Sequence, residues 1–188
     1  MARPRTYVRD EVVSRAADLF VRKGYEGAHL EELVRVTGLN RFSLYKEFGG
    51  KEGLFQAALD AYLERMDSLG AILRREPRGL SNLRAFYADL LSRDFPHGCL
   101  AVNTIREKHV VPERVFATIE RFAADSEEQL RGNLAAARER GELAATTDVD
   151  GLARVLTALN MGLMTYGVVA PGRASAQQVG ALLERVLR

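Results

Sequence analysis

Apolar side chains recur along this chain at three- and four-residue steps, and no segment alternates apolar and polar with β-branched enrichment. That pattern predicts helices and no strand. Val8, Val12, Ala16, Leu19 and Phe20 share one face, which predicts a first helix from about Tyr7 to Lys23, stopped at Gly24. Leu30, Leu33 and Val34 give a short second face, broken at Thr37-Gly38-Leu39. Gly38 can take the left-handed conformation of a tight exit, and Leu39 can tuck beneath the turn. Asn40 is a good N-cap for a third helix, Arg41 to Glu47, with Leu44 and Phe48 inward. From Lys51 to about Arg74, Leu54, Phe55, Ala58, Leu59, Tyr62, Leu63 and Met66 predict one long amphipathic helix, ended by Glu76-Pro77-Arg78-Gly79.

Proline, glycine and aspartate punctuate the rest. Helices are expected at Leu80–Ser92, at Cys99–His109 after Pro96, and at Glu113–Arg140, where Pro112 suits the start and Gly141 the close. Asp148 should cap a helix near Val149–Val169, and Pro171-Gly172 separates it from a last one at Ser175–Leu187. About nine helices make an all-α fold.

The stretch Leu30–Lys51 is the one with evident chemistry. A short helix, a glycine turn and a capped helix form a helix-turn-helix, whose second helix enters the DNA major groove by its N-terminal end. Asn40, Arg41, Phe42 and Ser43 would lie nearest the base edges. Arg41 can fork onto guanine and Phe42 can meet a thymine methyl. Ser43, Tyr45 and Lys46 suit phosphate oxygens, and Lys51 with the Gly49-Gly50 backbone would meet another phosphate. The bland alternative is a helical hairpin with a solvated polar face.

Charge changes this picture little. Net charge is only +2, and residues 1–51 carry ten Lys/Arg against seven Asp/Glu, a net of +3. Arg3 and Arg5 flank Pro4 in an expected arm that either meets DNA or is simply solvated. The single cysteine excludes an intrachain disulfide and fits a reducing cytoplasm. The N-terminus lacks the apolar run of a signal peptide, and the uncharged run Val155–Ala170 is shorter than a membrane span. A soluble, cytoplasmic protein with no membrane partner is expected.

Five motifs in combination resemble the tetracycline-repressor (TetR) family: Ala17-Asp18-Leu19-Phe20, Lys23-Gly24-Tyr25, Thr37-Gly38-Leu39, Ser43-Leu44-Tyr45-Lys46-Glu47-Phe48 and Lys51-Glu52-Gly53-Leu54-Phe55. The resemblance implies a transcription regulator, mostly a repressor, with double-stranded DNA and a small-molecule effector as partners. It implies a DNA-binding domain at residues 1–50 and a helical ligand-binding and dimerisation domain at 51–188. Two positions depart from the family pattern. Ala28-His29 replaces the usual hydroxyl cap of the second helix, and Phe42 replaces a small residue.

The last two predicted helices are strongly apolar, through Leu152, Val155, Leu156, Leu159 and Leu163 on one and Val179, Leu182, Leu183 and Val186 on the other. They either cover a monomer core or form a four-helix bundle in a homodimer, which the family resemblance and two-half-site operators favour. Tyr62, Met66, Phe86, Tyr87, Phe116, Met161 and Met164, with Asn103 and Asn160 as sparse polar groups, suit an apolar effector pocket; the alternative for each is ordinary core. Cys99 opens a helix beside His97, where dipole and imidazole would favour thiolate and make an oxidant or electrophile sensor. It could equally be a small buried hydrophobe. His97, Cys99 and His109 lack zinc-site spacing, and no cofactor is implied. A Cys-dependent enzyme would need an acid partner and an oxyanion hole that the sequence does not offer, so no enzyme is expected. Repressor and activator remain indistinguishable at this level.

Overall fold

The computed structural model describes residues 7–169 together with Ala181 and Arg185. The described residues form eight helices: α1 (Arg9–Gly27), α2 (Leu30–Thr37), α3 (Arg41–Phe48), α4 (Lys51–Leu73), α5 (Leu80–Ser92), α6 (Leu100–Ile105), α7 (Glu113–Glu139) and α8 (Val149–Val169). The fold is all-α, as the periodicity predicts. The arm arginines Arg3 and Arg5 and nearly all of the expected last helix lie outside the described residues, and so do Val179, Leu182, Leu183 and Val186.

Two helices differ from expectation, the first of them by running on to Gly27 across a kink at Gly24 where a stop was expected. The sixth helix, expected at Cys99–His109, holds only Leu100–Ile105 and then tightens into three-residue turns, with Glu107 N–H donating to Thr104 O (3.0 Å) and Val110 N–H to Glu107 O (2.9 Å).

The chain packs as two compact units. One unit takes the chain up to Arg65 together with Cys99–Thr118; the other takes Met66–Gly98 together with the chain from Ile119 onward. In the first unit, Phe20, Leu33, Leu44, Leu54 and Phe55 are fully buried, each contributing about 1.5–3 kcal/mol of burial. Phe55 takes the rings of Phe20 and Tyr25 edge-on, at 4.6 and 5.0 Å between centroids.

The segment Cys99–Thr118 is fastened onto α1 and α4 within this unit. Asn103 Nδ2 donates to Val21 O (3.2 Å), and Gln56 Nε2 donates to Thr118 Oγ1 (3.2 Å). The Glu107 carboxylate accepts the backbone N–H groups of Tyr25 (2.7 Å) and Glu26 (3.0 Å). Gly24 makes this clamp possible. Its φ of 74° turns the chain out of the helix, and a Cβ there would lie 2.6 Å from Glu107 Oε1. Glu107→Ala should therefore free two charge-assisted hydrogen bonds, each worth about 1.5–3 kcal/mol. Amide exchange at Tyr25 and Glu26 should accelerate by about tenfold or more. Unchanged protection there would mean that the clamp does not hold α1.

The second unit is built around a buried asparagine. Asn133, on α7, donates through Nδ2 to Leu73 O (2.7 Å) and Gln129 O (2.8 Å). Its Oδ1 accepts from Gly79 N–H (3.0 Å) and Asn82 Nδ2 (3.1 Å), and Asn82 Nδ2 also donates to Arg75 O (2.7 Å). These bonds pin the end of α4, the following loop and the start of α5 to α7. Leu73, Leu83, Leu130, Leu134 and Leu156 of this unit are all buried. Glu142 accepts from Arg140 Nε (2.7 Å) and from Leu80 N–H (3.0 Å), which together hold its carboxyl below the usual carboxylate range. Asp148 caps α8 by accepting Gly151 N–H (3.0 Å).

Candidate nucleic-acid interface

The α2–α3 unit follows from local chemistry. Gly38 is left-handed, at φ 74°, and its N–H closes α2 on Val34 O (3.0 Å). Thr37 is buried and holds the turn from both sides: its hydroxyl donates to Leu33 O (2.6 Å) and accepts Leu39 N–H (3.3 Å). Asn40 Oδ1 accepts Ser43 N–H (2.8 Å), so the expected N-cap is in place. The start of α2 has no such cap. His29 occupies that position without a side-chain hydrogen bond, in keeping with the departure seen in the sequence.

Leu44 and Phe48 anchor α3 inward, which leaves a continuous outer face. Phe42 is 75% exposed and Tyr45 56%, unusual values for aromatic rings on a helix this short. Asn40, Arg41 and Lys46 are exposed beside them, and Ser43 is half-buried. Arg41 pairs with Glu31 across the turn. Tyr7, ahead of α1, donates its hydroxyl to Glu47 (3.1 Å) on the same helix.

Lys51 has partners within its own chain. Its ammonium donates to Glu26 O (3.2 Å) and lies 4.6 Å from the Tyr25 ring centre. Burial pushes its pKa below the ordinary lysine value, while Glu107 and Glu26 oppose that shift. A phosphate contact would have to draw on the N–H donors that Glu26 O leaves over, or compete with this seat. Lys46→Ala should therefore lower the salt slope of DNA binding by about one, whereas Lys51→Ala should change the slope by clearly less. Equal slopes for the two variants would return Lys51 to the phosphate-binding set.

The predicted effector residues divide between the two units. In the first, Cys99 is 2% exposed and the Tyr62 hydroxyl faces it. Burial and that sulfur raise the Tyr62 pKa, although Leu100 N–H donates to the same oxygen. Asn103 is taken up by Val21 O, and Phe116 is half-buried. In the second unit, Met66, Phe86, Tyr87 and Asn160 are buried, and Met161 and Met164 half-buried. Phe86 and Tyr87 meet edge-on at 5.1 Å. The Asn160 side chain lies beside the Tyr87 hydroxyl, yet neither that hydroxyl nor Asn160 Oδ1 has a hydrogen bond of normal geometry. Burial raises the Tyr87 pKa, so its hydroxyl stays neutral. A surface groove of ≈ 790 Å³ lies elsewhere, lined by Arg9, Asp10, Glu47, Phe48, Asp60 and Arg65 among others. It contains none of the predicted effector residues, and its opposed charges differ from the apolar lining expected.

On α8, Leu156 is 1% exposed, so its side chain is used within its own protomer. Val155, one residue away, is 61% exposed; Tyr166 and Val169 are exposed on the same side of the helix. Leu152, Leu159 and Leu163 are half-buried, and a Cβ on Gly162 would meet open space. By length and composition α8 is apolar enough to cross a membrane, although the uncharged run within it is short.

Comparison with known proteins agrees with this architecture. Residues 12–58 match the family "Bacterial regulatory proteins, tetR family", and residues 79–179 match the "Tetracyclin repressor-like, C-terminal domain". The chain is 32% identical over 167 residues to the HTH-type transcriptional repressor ComR of Escherichia coli K12, covering 86% of this chain and 80% of that protein. A cysteine mutant of the TetR family regulator CifR, complexed with 26bp double-strand operator DNA, superposes with TM-score 0.83 at 30% identity, over 100% of this chain and 98% of that one. The reduced form of Escherichia coli NemR shares the fold, with TM-score 0.79 at 22% identity over 94% and 95% of the two chains. An Asn40-capped, outward-facing α3 in an all-helical chain, matched over both of its parts, makes this chain a transcriptional regulator that belongs to the tetR family of bacterial regulatory proteins.

Proposed function

We propose that this regulator is a cytoplasmic, non-enzymatic repressor that binds a palindromic operator as a homodimer and leaves it when a small apolar or electrophilic effector binds. The observation that carries the reading is the outer face of α3, where Asn40, Arg41, Phe42, Tyr45 and Lys46 are presented to solvent on a capped helix. Asn40 to Ser43 address base edges, while Tyr45 and Lys46 hold phosphates. ComR is a repressor and the CifR structure holds operator DNA, which supports the same role here. The exposed apolar side of α8 supports the homodimer, and makes a membrane span the weaker account of that helix.

The effector region rests on the second unit. Phe86, Tyr87, Asn160, Met161 and Met164 combine apolar side chains with two buried oxygens that have no hydrogen bond of normal geometry. An effector there shifts α4, a single helix that carries Leu54 and Phe55 near its start and Met66 near its end. Ligand and operator then oppose one another with about 1–3 kcal/mol of coupling, or 5–150-fold in affinity. A second reading, favoured by the Tyr62 hydroxyl facing buried Cys99, is a thiol sensor. Selection of bound duplexes from a random pool, followed by release assays with apolar compounds and with N-ethylmaleimide, tests both. Release by compounds in wild type and in Cys99→Ser supports the pocket. Release by maleimide in wild type alone supports the thiol. No enriched duplex at all contradicts the proposal.

A further inference from the structure

Arg41 stands at the first position of α3, where a side chain reaches base edges most directly. In the free protein its guanidinium is paired with the carboxylate of Glu31, in the first turn of α2. The neighbouring acid in that turn, Glu32, is already occupied. It takes Lys23 at 2.7 Å and Arg35 at 3.3 Å. The two acids thus have separate tasks, and Glu31 is the one that reaches across to α3. Its carboxyl is held below the usual carboxylate range, first by its own backbone N–H and then by Arg41, so it stays ionised at neutral pH.

Stability does not account for this pair. Both side chains are largely exposed, and exposed ion pairs contribute little. A carboxylate on a DNA-facing surface also repels phosphate. Its effect is geometric. A free arginine has many rotamers, and a guanine is read only when the planar fork points at its O6/N7 edge. Glu31 takes one of the five guanidinium N–H donors and leaves four, enough for a bidentate contact. We propose that Glu31 is a positioning residue for base readout, holding the Arg41 guanidinium in the orientation that forks onto guanine. This inference rests on α3 being the recognition helix, and it adds a specificity determinant on α2.

The test uses the full-length protein and a duplex enriched from a random pool, with each base pair then substituted in turn at fixed salt. Arg41→Ala should abolish preference at one base pair, a loss of about tenfold or more. Glu31→Ala should lose most of the preference at that same pair, and the double variant should be no worse than Arg41→Ala alone. If Glu31→Ala keeps the preference while tightening binding to every duplex alike, Glu31 is only a repelling charge and the inference is overturned. It is equally overturned if Arg41→Ala loses preference nowhere. Wild-type protein with no preference at any position would instead contradict the reading of α3 itself.

Discussion

Val155→Arg is expected to yield a folded protein that no longer dimerises and binds its operator about 10²–10⁴-fold more weakly. The side chain is 61% exposed on a helix whose same side carries Tyr166 and Val169, so a charge there disturbs no core. In a two-fold dimer the same stripe meets its own copy, and two buried guanidiniums would face one another. Loss of the dimer removes the second reader, and each α3 then holds one half-site alone. Leu156→Glu, one residue along, should behave oppositely. Leu156 is buried in its own protomer, and an unpaired carboxylate there costs several kcal/mol and unfolds the second unit. Light scattering, circular dichroism and operator titration separate the outcomes. A Val155→Arg variant that remains dimeric would remove α8 from the interface.

Asn133→Leu should cost about 3–5 kcal/mol, a large share of the 5–15 kcal/mol typical of a domain. The leucine keeps the volume but strands Gly79 N–H, takes one of its acceptors from Asn82 Nδ2, which keeps Arg75 O, and removes the donors to Leu73 O and Gln129 O. Unsatisfied buried groups cost about 1–3 kcal/mol each, partly relieved where the loop can reach water. The network also fixes the end of α4, so operator release should become less sharply coupled to ligand in this variant. Urea unfolding at constant m-value measures the cost. A loss below about 1 kcal/mol would mean that the network is replaceable by packing.

Local chemistry is what the sequence made legible. Gly38, Thr37 and Asn40 act on residues within four positions of themselves, so the turn and cap of the reader could be written down from the residues alone. The same holds for α5, whose observed ends are the predicted ones, and for the start of α8. Pairings across the chain were not legible. Glu107 meets Tyr25 over 82 positions and Asn133 meets Gly79 over 54, and no periodicity encodes such partners. Asn133 did leave a trace, since it interrupts the apolar stripe of Leu130, Leu134 and Ala137. The Glu31–Arg41 pair spans the helix-turn-helix and needed its geometry. On α8 the difficulty was different. Val155 and Leu156 are both apolar on a helix apolar nearly all round, so helical spacing could not assign one to the core and the other to the surface.

Whether α3 reads a specific DNA sequence is measured most directly as wild-type affinity for the enriched duplex against a scrambled duplex of equal length, near 0.15 M salt. A preference of about 10³-fold or more is expected, abolished in large part by Arg41→Ala. Equal affinity for the two duplexes would contradict it.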